Sequence, residues 1–492
     1  MAIGTISFEQ KPINTTSKAP VITNWTPVIG YMVYQDDISG LFYFKLILEV
    51  RLDDASGTII AKIKQRRNGY SDDINNNRAR AFFDLREIVN SVLTPTVFDQ
   101  NSAGVPFPSI HKVGGNTPTE PFSFNGDNTT DGTQIQKIYV KAYQQYSSST
   151  LSSPEEDTSP SVNDTLYYMA ASLPLMTPRS TVVSPVGFIQ TTAFGVFNCS
   201  QDTDRFLSDL ETDSGQYNLS GYINYVQDTD YHTVAFLNDF TNFDSDLDYI
   251  QIVYYTSAGV RINDAEYIAN ISANGGLPPN DGTIADASRL LYFGCGPKNL
   301  ERQSRETSAR PSNNSGWAYY TIRGTTDTPA DPATSTNKTA LYYFIKEDGS
   351  CKGFKVRRLA WLNSVGCYDY FNFTKKSTQT TEIKRDSYSS MIGTFNKSLW
   401  RYNNTQRGTT TRKVTATLKE TLNTDWITEA QGVLIEKLLM STDAQIVENA
   451  DTDFTEGVII TDSSFVKKTV ANDNLIQYTI NIEYANPINT NS

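Results

Sequence analysis

From residue 42 the chain alternates, with Phe42, Phe44, Leu46, Leu48, Val50 and Leu52 on one face and Lys45, Glu49 and Arg51 on the other. A period of two belongs to a strand with one buried side, not to a helix. The apolar runs 28–35 and 58–64 flank it across polar turns at 36–40 and 53–57, so the region predicts an antiparallel meander with one wet face. A short helix is predicted over 84–93, where Asp84 can cap, Glu87 can return the capping-box bond, and Ile88, Val89, Val92 and Leu93 continue an apolar stripe until Pro95. After a polar excursion at 101–132, residues 135–143 predict a further strand that closes an N-terminal β domain over 1–150. Residues 147–164 hold too little apolar content to build a core, so 151–170 is expected to be a linker or exposed loop.

A central β domain, 171–375, is predicted from strands at 193–197, 222–226, 249–255, 290–293, 317–322 and 340–345, with a polar stretch at 323–338. In the C-terminal β domain, 376–492, strands are predicted at 413–418, 458–460 and 477–484. Between them, 426–440 predicts a helix with Ile427, Ala430, Leu434 and Leu438 as its stripe, Asp425 as cap, and Trp426 and Val433 widening the contact. Lys437 falls on that side too, its stem covering apolar surface while its ammonium reaches water. The expected fold class is therefore mainly β: several antiparallel β-sandwich or barrel-like domains with a few short helices packed on sheets.

At 492 residues the chain is long enough for two to four domains, and its 28 Tyr and 24 Phe make aromatic packing on sheets the main source of core. A formal charge of −12 opposes a non-specific hold on nucleic-acid phosphates. The local basic group Lys352, Lys355, Arg357 and Arg358 reads as the solvent side of a strand. Cys199, Cys295, Cys351 and Cys367 are too widely spaced for a disulfide scaffold or a Cys-x-x-Cys zinc site, so unlinked thiols are expected. With no apolar leader after Met1 and no run of 18 apolar residues, neither a signal peptide nor a membrane span is expected, and synthesis in a cytoplasm fits. The triplets at Asn14 and Asn128 are then by-products of an Asn/Thr-rich composition.

Only two histidines occur, His111 and His232, too far apart in sequence for a local metal motif. Nucleophile elbows, zincin helices, Walker loops and dinucleotide glycine patterns are absent, which removes the commonest enzyme classes but not carboxylate-based glycosidases. Asp228, Asp230, Asp239, Asp244, Asp246 and Asp248 could offer oxygens to Ca²⁺, yet the stretch lacks the central Gly and final Glu of an EF-hand loop, and a solvated turn explains it as well. No catalytic, cofactor-binding or metal-ligating residue is assigned, and no cofactor is expected.

The most distinctive segment is 358–373. A strand enters at Leu359 and Trp361, turns over Asn363-Ser364-Val365-Gly366 and leaves along Tyr368, Tyr370 and Phe371, with Gly366 suited to a positive φ and Asn363 and Asp369 able to bond backbone around the turn. A buried hairpin is expected, with an exposed aromatic platform for carbohydrate as the alternative.

Together with Ala81-Phe82-Phe83-Asp84-Leu85-Arg86-Glu87-Ile88-Val89, Val458-Ile459-Ile460-Thr461-Asp462-Ser463-Ser464-Phe465 and Ile482-Glu483-Tyr484-Ala485-Asn486, the run Trp361-Leu362-Asn363-Ser364-Val365-Gly366-Cys367-Tyr368-Asp369-Tyr370-Phe371 resembles virion proteins of tailed phages of Bacteroidetes, the crAss-like group above all. That pattern usually carries a second glycine where Cys367 stands. The resemblance follows the same order over most of the chain and brings no catalytic residues. It implies a structural ring or collar subunit of the head-to-tail connector or tail, a homo-oligomer of high cyclic symmetry in the virion, contacting portal, collar or other tail proteins, with neither membrane nor sequence-specific nucleic-acid binding. Residues 101–132 and 147–164 are the loops expected to reach neighbours. A tail fibre or receptor-binding carbohydrate module, and a glycoside-acting tail enzyme, are the alternatives.

Overall fold

The structure is a computed structural model that describes residues 4–11, 21–22, 30–93, 110–112, 122–125, 135–170, 206–237, 249–269, 290–302, 307–325, 328, 332–334, 336–347, 353–447, 455–468, 476–486 and 489–490. Contacts divide the chain into two units: Met1–Lys346 with Leu362–Asp369, and Glu347–Trp361 with Tyr370–Ser492. The architecture is mainly β, with several antiparallel sheets and a few short helices.

The first unit opens with strands Ile6–Gln10 (β1), Val21–Ile22 (β2), Gly30–Gln35 (β3), Phe42–Leu52 (β4), Ile59–Gln65 (β5), Ala79–Asp84 (β6), Phe122–Asn125 (β7), Ile135–Ser147 (β8) and Glu155–Met169 (β9). Helices Ser71–Asn75 (α1) and Arg86–Asn90 (α2) flank β6. One sheet runs β1-β3-β6 and another β2-β9-β8-β4-β5. Side chains from both, among them Tyr31, Val33, Phe83, Leu46, Leu48, Val50 and Val140, share one apolar core. The period-two prediction for β4 holds at Leu46, Leu48 and Val50, all fully buried, but not at Phe42, which is 41% exposed beyond a register shift between Phe42 and Lys45.

The opposite face of β4 is not simply wet. Glu49 is buried there, its carboxylate 2.7 Å from Arg51 Nε and 3.6 Å from Lys62 Nζ. Burial pushes that carboxyl up, but the Arg51 and Lys62 charges outweigh it and hold it below the ordinary range. Lys62 and Lys64 also clamp Glu156 at 3.0 and 2.7 Å, lowering its pKa to about 2. Glu156 lies in the stretch expected to be a linker. Instead, β9 starts at Glu155 and pairs with β8, Gln145 opposite Glu156 and Gln144 opposite Asp157. Pairing with β8 satisfies the backbone whatever the side chains are, while lysines from neighbouring strands take up the carboxylates and Leu166 and Tyr168 enter the core. The helix at 84–93 is shorter than expected: α2 begins after Leu85, and Asp84 binds the Arg86 backbone N–H (3.1 Å) and guanidinium (2.5 Å) instead of forming a capping box with Glu87.

Further along this unit come Thr212–Ser214 (β10), Ser220–Val226 (β11), Thr233–Leu237 (β12), Tyr249–Tyr255 (β13), Glu266–Ala269 (β14), Leu290–Gly294 (β15), Tyr319–Thr325 (β16) and Tyr342–Lys346 (β17), with a short helix Pro297–Glu301 (α3). They form a six-stranded sheet, β10-β11-β17-β16-β13-β14, and, with β7, a three-stranded one, β12-β15-β7. Not every pairing is antiparallel: β11 runs parallel to β17, and β2 to β9. Aromatic packing dominates, as the composition predicts, with Tyr320 stacked on Phe344 at 5.0 Å and its hydroxyl donating to the Cys295 carbonyl at 2.7 Å. The strand expected at 193–197 and most of 101–132 lie outside the described residues.

In the second unit the strands are Arg357–Leu362 (β18), Tyr368–Phe373 (β19, whose first two residues belong to the first unit), Thr378–Ser389 (β20), Thr394–Asn396 (β21), Leu399–Arg401 (β22), Thr409–Asn423 (β23), Ala444–Val447 (β24), Thr455–Ile460 (β25), Thr479–Tyr484 (β26) and Asn489–Thr490 (β27). Apart from β21-β22, which pair with each other, they form one sheet in the order β19-β18-β24-β25-β26-β23-β20, with β27 on β23. The helix is Glu429–Met440 (α4), and its cap is Thr428, not Asp425. Thr428 Oγ1 accepts from Gln431 N (3.2 Å) while Gln431 Oε1 accepts from Thr428 N (3.1 Å), a reciprocal capping box. The buried stripe is accordingly Gln431, Leu434, Ile435 and Leu438, and Trp426 stands before the helix, exposed.

Candidate assembly surface

Of the residues weighed as candidates for chemistry, those described take part in the packing and bonding of the fold. His111 and His232 are both buried, their rings edge-on to Tyr368 and Phe344 at 5.0 Å. Asn299 ties their backbones together, accepting from His232 N (2.9 Å) and donating to the His111 carbonyl (3.0 Å). Asp228 pairs with Lys346 at 2.7 Å, and buried Asp230 accepts from Gln227 N at 2.9 Å. Asp239, Asp244, Asp246 and Asp248 lie outside the described residues, as do Cys199, Cys351 and Lys352. Cys295 and Cys367 are buried and form no disulfide among the described residues. Among the described residues no cluster of three or more His, Cys, Asp or Glu is placed to hold a metal, and no helix is long and apolar enough to cross a membrane.

Of the basic group, Lys355 is exposed as expected, but the two arginines do not face solvent. Arg357 and Arg358 are both buried, because each has a partner that removes the cost of desolvating its charge. Arg357 Nε lies 2.8 Å from the fully buried Glu420, whose other oxygen accepts from Tyr484 Oη at 2.7 Å and Gln379 Nε2 at 3.0 Å. Arg358 donates to Asn372 Oδ1 at 2.8 Å and lies over the Tyr370 ring.

At the hairpin tip the residue-level reading holds. Gly366 has φ +84°, and Asn363 Oδ1 accepts from Val365 N (3.1 Å) and Cys367 N (2.9 Å). Trp361, Tyr368 and Tyr370 are buried, which excludes an exposed aromatic platform at these residues. Asp369 reaches away from the turn: it accepts from Ser208 Oγ (2.5 Å) and Asp209 N (2.8 Å), while Asp209 Oδ2 accepts from Ser364 N (2.7 Å) and Asn363 Nδ2 donates to the Leu207 carbonyl (3.0 Å). Burial and the neighbouring Asp209 charge push the Asp369 carboxyl up to about 7.

A feature that no other described strand covers lies elsewhere. β20 and β23 pair from Thr378–Thr421 to Ser389–Thr409, but β26 covers β23 only over Lys419–Asn423 and β27 only at Thr415 and Ala416. Residues 384–414 thus form a two-stranded ribbon that no third strand joins among the described residues. From Lys384 to Ser389 its strand alone spans about 17 Å. At its end β21 and β22 form a small hairpin in which the Phe395 and Trp400 rings meet at 6.5 Å, and Gly393 (φ +106°) leaves the room that Trp400 occupies.

This tip exposes Met391 (79%), Phe395 (71%), Leu399, Trp400 and Tyr402 (69%). Its charge is one-sided: residues 387–413 hold Lys397, Arg401, Arg407, Arg412 and Lys413 and no carboxylate, so with a total of −12 the rest of the chain carries −17. Two-stranded ribbons are marginal in water, and large clustered apolar side chains gain stability only when a partner covers them. The strand predicted at 413–418 overlaps this ribbon only at Lys413 and Val414. Six large apolar or aromatic residues within 391–402, in a cation-only run, were the signal that could have marked it. The chain matches no known protein family, and no curated protein matches it.

Proposed function

We propose that the protein is a structural virion subunit built of β-sandwich-like domains, which assembles with copies of itself into a closed ring in the head-to-tail connector or tail of a tailed phage. The carrying observation is the 384–414 ribbon, a basic, aromatic-tipped arm on an otherwise acidic chain. Charge complementarity makes a neighbouring copy the natural recipient, since each subunit offers one such arm and a surface of opposite sign. Burying Phe395 and Trp400 would contribute about 1.5–3 kcal/mol each, and a closed ring repeats that gain at every contact. The resemblance to phage ring and collar proteins supports the placement in a virion.

Native mass spectrometry with electron-microscope class averages tests this on the full chain and on a Phe395→Ser/Trp400→Ser variant. Closed rings of many copies are expected for the wild type, and dissociated subunits with an unchanged circular dichroism spectrum for the variant. A trimer favours a fibre. A wild-type monomer, or rings indifferent to the substitutions, overturns the role given to the ribbon.

A further inference from the structure

A second unspent surface lies in the first unit, where β4 and β5 part. The turn before β4, the residues after β5 and the loop between β8 and β9 enclose an open cleft of about 1020 Å³. Its walls present Phe42, Tyr43 and Leu151 together with Lys45, Arg66 and Arg67, and no lining residue is acidic. Among the described residues these three cations form no ion pair with the protein.

The aromatic wall is held in place. Tyr43 sits at φ +55°, a conformation costly for a non-glycine residue, and its hydroxyl donates to the Thr150 carbonyl at 2.9 Å, locking one wall of the cleft to the other. Leu151, at the rim, is 96% exposed. Beside the cleft, β5 pairs among the described residues with β4 alone, and its outer edge there offers unpaired backbone groups that lead directly into Arg66.

We propose that this cleft docks an extended acidic polypeptide segment carrying aliphatic side chains. Each part of that recognition has a counterpart in the cleft. Carboxylates answer the guanidinium forks of Arg66 and Arg67, which suit carboxylate geometry, and the Lys45 ammonium. Aliphatic side chains answer Leu151 and Phe42, which sugar hydroxyls would leave uncovered. An extended backbone answers the free edge of β5. The proposal is independent of the ribbon, which lies in the other unit.

Fluorescence anisotropy on the purified full chain tests it with three labelled probes: a 12-residue Glu/Asp-rich peptide containing two leucines, its Lys-for-acid counterpart, and a heparin oligosaccharide. The acidic peptide is expected to bind, more weakly as salt rises, while the Lys peptide does not. Arg66→Glu/Arg67→Glu, at exposed positions, should weaken binding at least tenfold, and Leu151→Ser several-fold with the salt dependence retained. Failure of the acidic peptide to bind, equal binding of the Lys peptide, or indifference to the arginine substitutions overturns the proposal. Heparin binding that is lost in the arginine variant, with no peptide binding, reassigns the cleft to an anionic glycan.

Discussion

Asp369 is the group whose titration should be most visible in the stability of the protein. It is buried at the hairpin tip with Asp209 beside it, and its carboxyl is pushed from the ordinary 3.8 to about 7 by burial first and the Asp209 charge second. Below pH 3.8 the folded and unfolded states both hold the proton, and this group contributes no pH dependence. Between 3.8 and about 7 the folded state keeps a proton that the unfolded state has lost, so stability falls as pH rises. At about 1.4 kcal/mol for each pH unit, the loss across that window is about 4 kcal/mol. When the proton is on Oδ1, the 2.5 Å bond to Ser208 Oγ reverses and the carboxyl donates, while Oδ2 still accepts from Asp209 N. Asn at this position reproduces that arrangement, its amide donating to Ser208. Asp369→Asn is therefore expected to match the wild type near pH 4 and to exceed it by up to about 4 kcal/mol near pH 8. Urea midpoints across this range, read as the difference between variant and wild type, cancel the oppositely directed carboxylates such as Glu156. Hydrogen exchange in peptides covering 206–210 and 362–369 localises the effect. If the two proteins keep parallel pH profiles, or the variant is the weaker one at pH 8, the buried-proton argument is wrong.

Glu420→Gln leaves the buried Arg357 guanidinium without its counter-charge and should cost about 3–5 kcal/mol in urea unfolding, the usual penalty of breaking a buried ion pair. In the wild type, burial raises the Glu420 carboxyl, but hydrogen bonds from Gln379, Tyr484 and Arg357 outweigh it and leave the pKa lowered, so this contribution is full above the ordinary glutamate range and fades as acid protonates the folded state. A wild type and variant that differ equally at pH 3 and pH 7 would contradict that assignment. Gly366→Ala forces a side chain into φ +84° and should lower stability by about 1–2 kcal/mol, with faster exchange at Cys367 N–H; an unchanged melting midpoint would show that the turn relaxes freely.

Local patterns in the sequence settled whatever one element decides by itself. Alternation over 42–52 placed Leu46, Leu48 and Val50 inward, because side chains of a strand have no other faces to choose. The hairpin turn was legible because Asn363 and Gly366 bond and bend within four residues, and the C-terminal helix because its apolar spacing is local, although its start moved to Thr428 once the reciprocal bonds to Gln431 were seen. Where partners are distant, composition misled. Residues 155–164 read as a linker because they are polar, yet β8 offered their backbone a ladder and Lys62 and Lys64, nearly a hundred residues earlier, took up Glu156. Arg357 and Arg358 read as a wet face until Glu420 and Asn372 supplied the counter-groups that make burial affordable. The ribbon is the reverse case. Its residues have the strand-forming Thr and aromatic content of a sheet, but whether a third strand covers them is a property of chain topology, and only the tertiary structure shows that over 384–414 none of the described strands does.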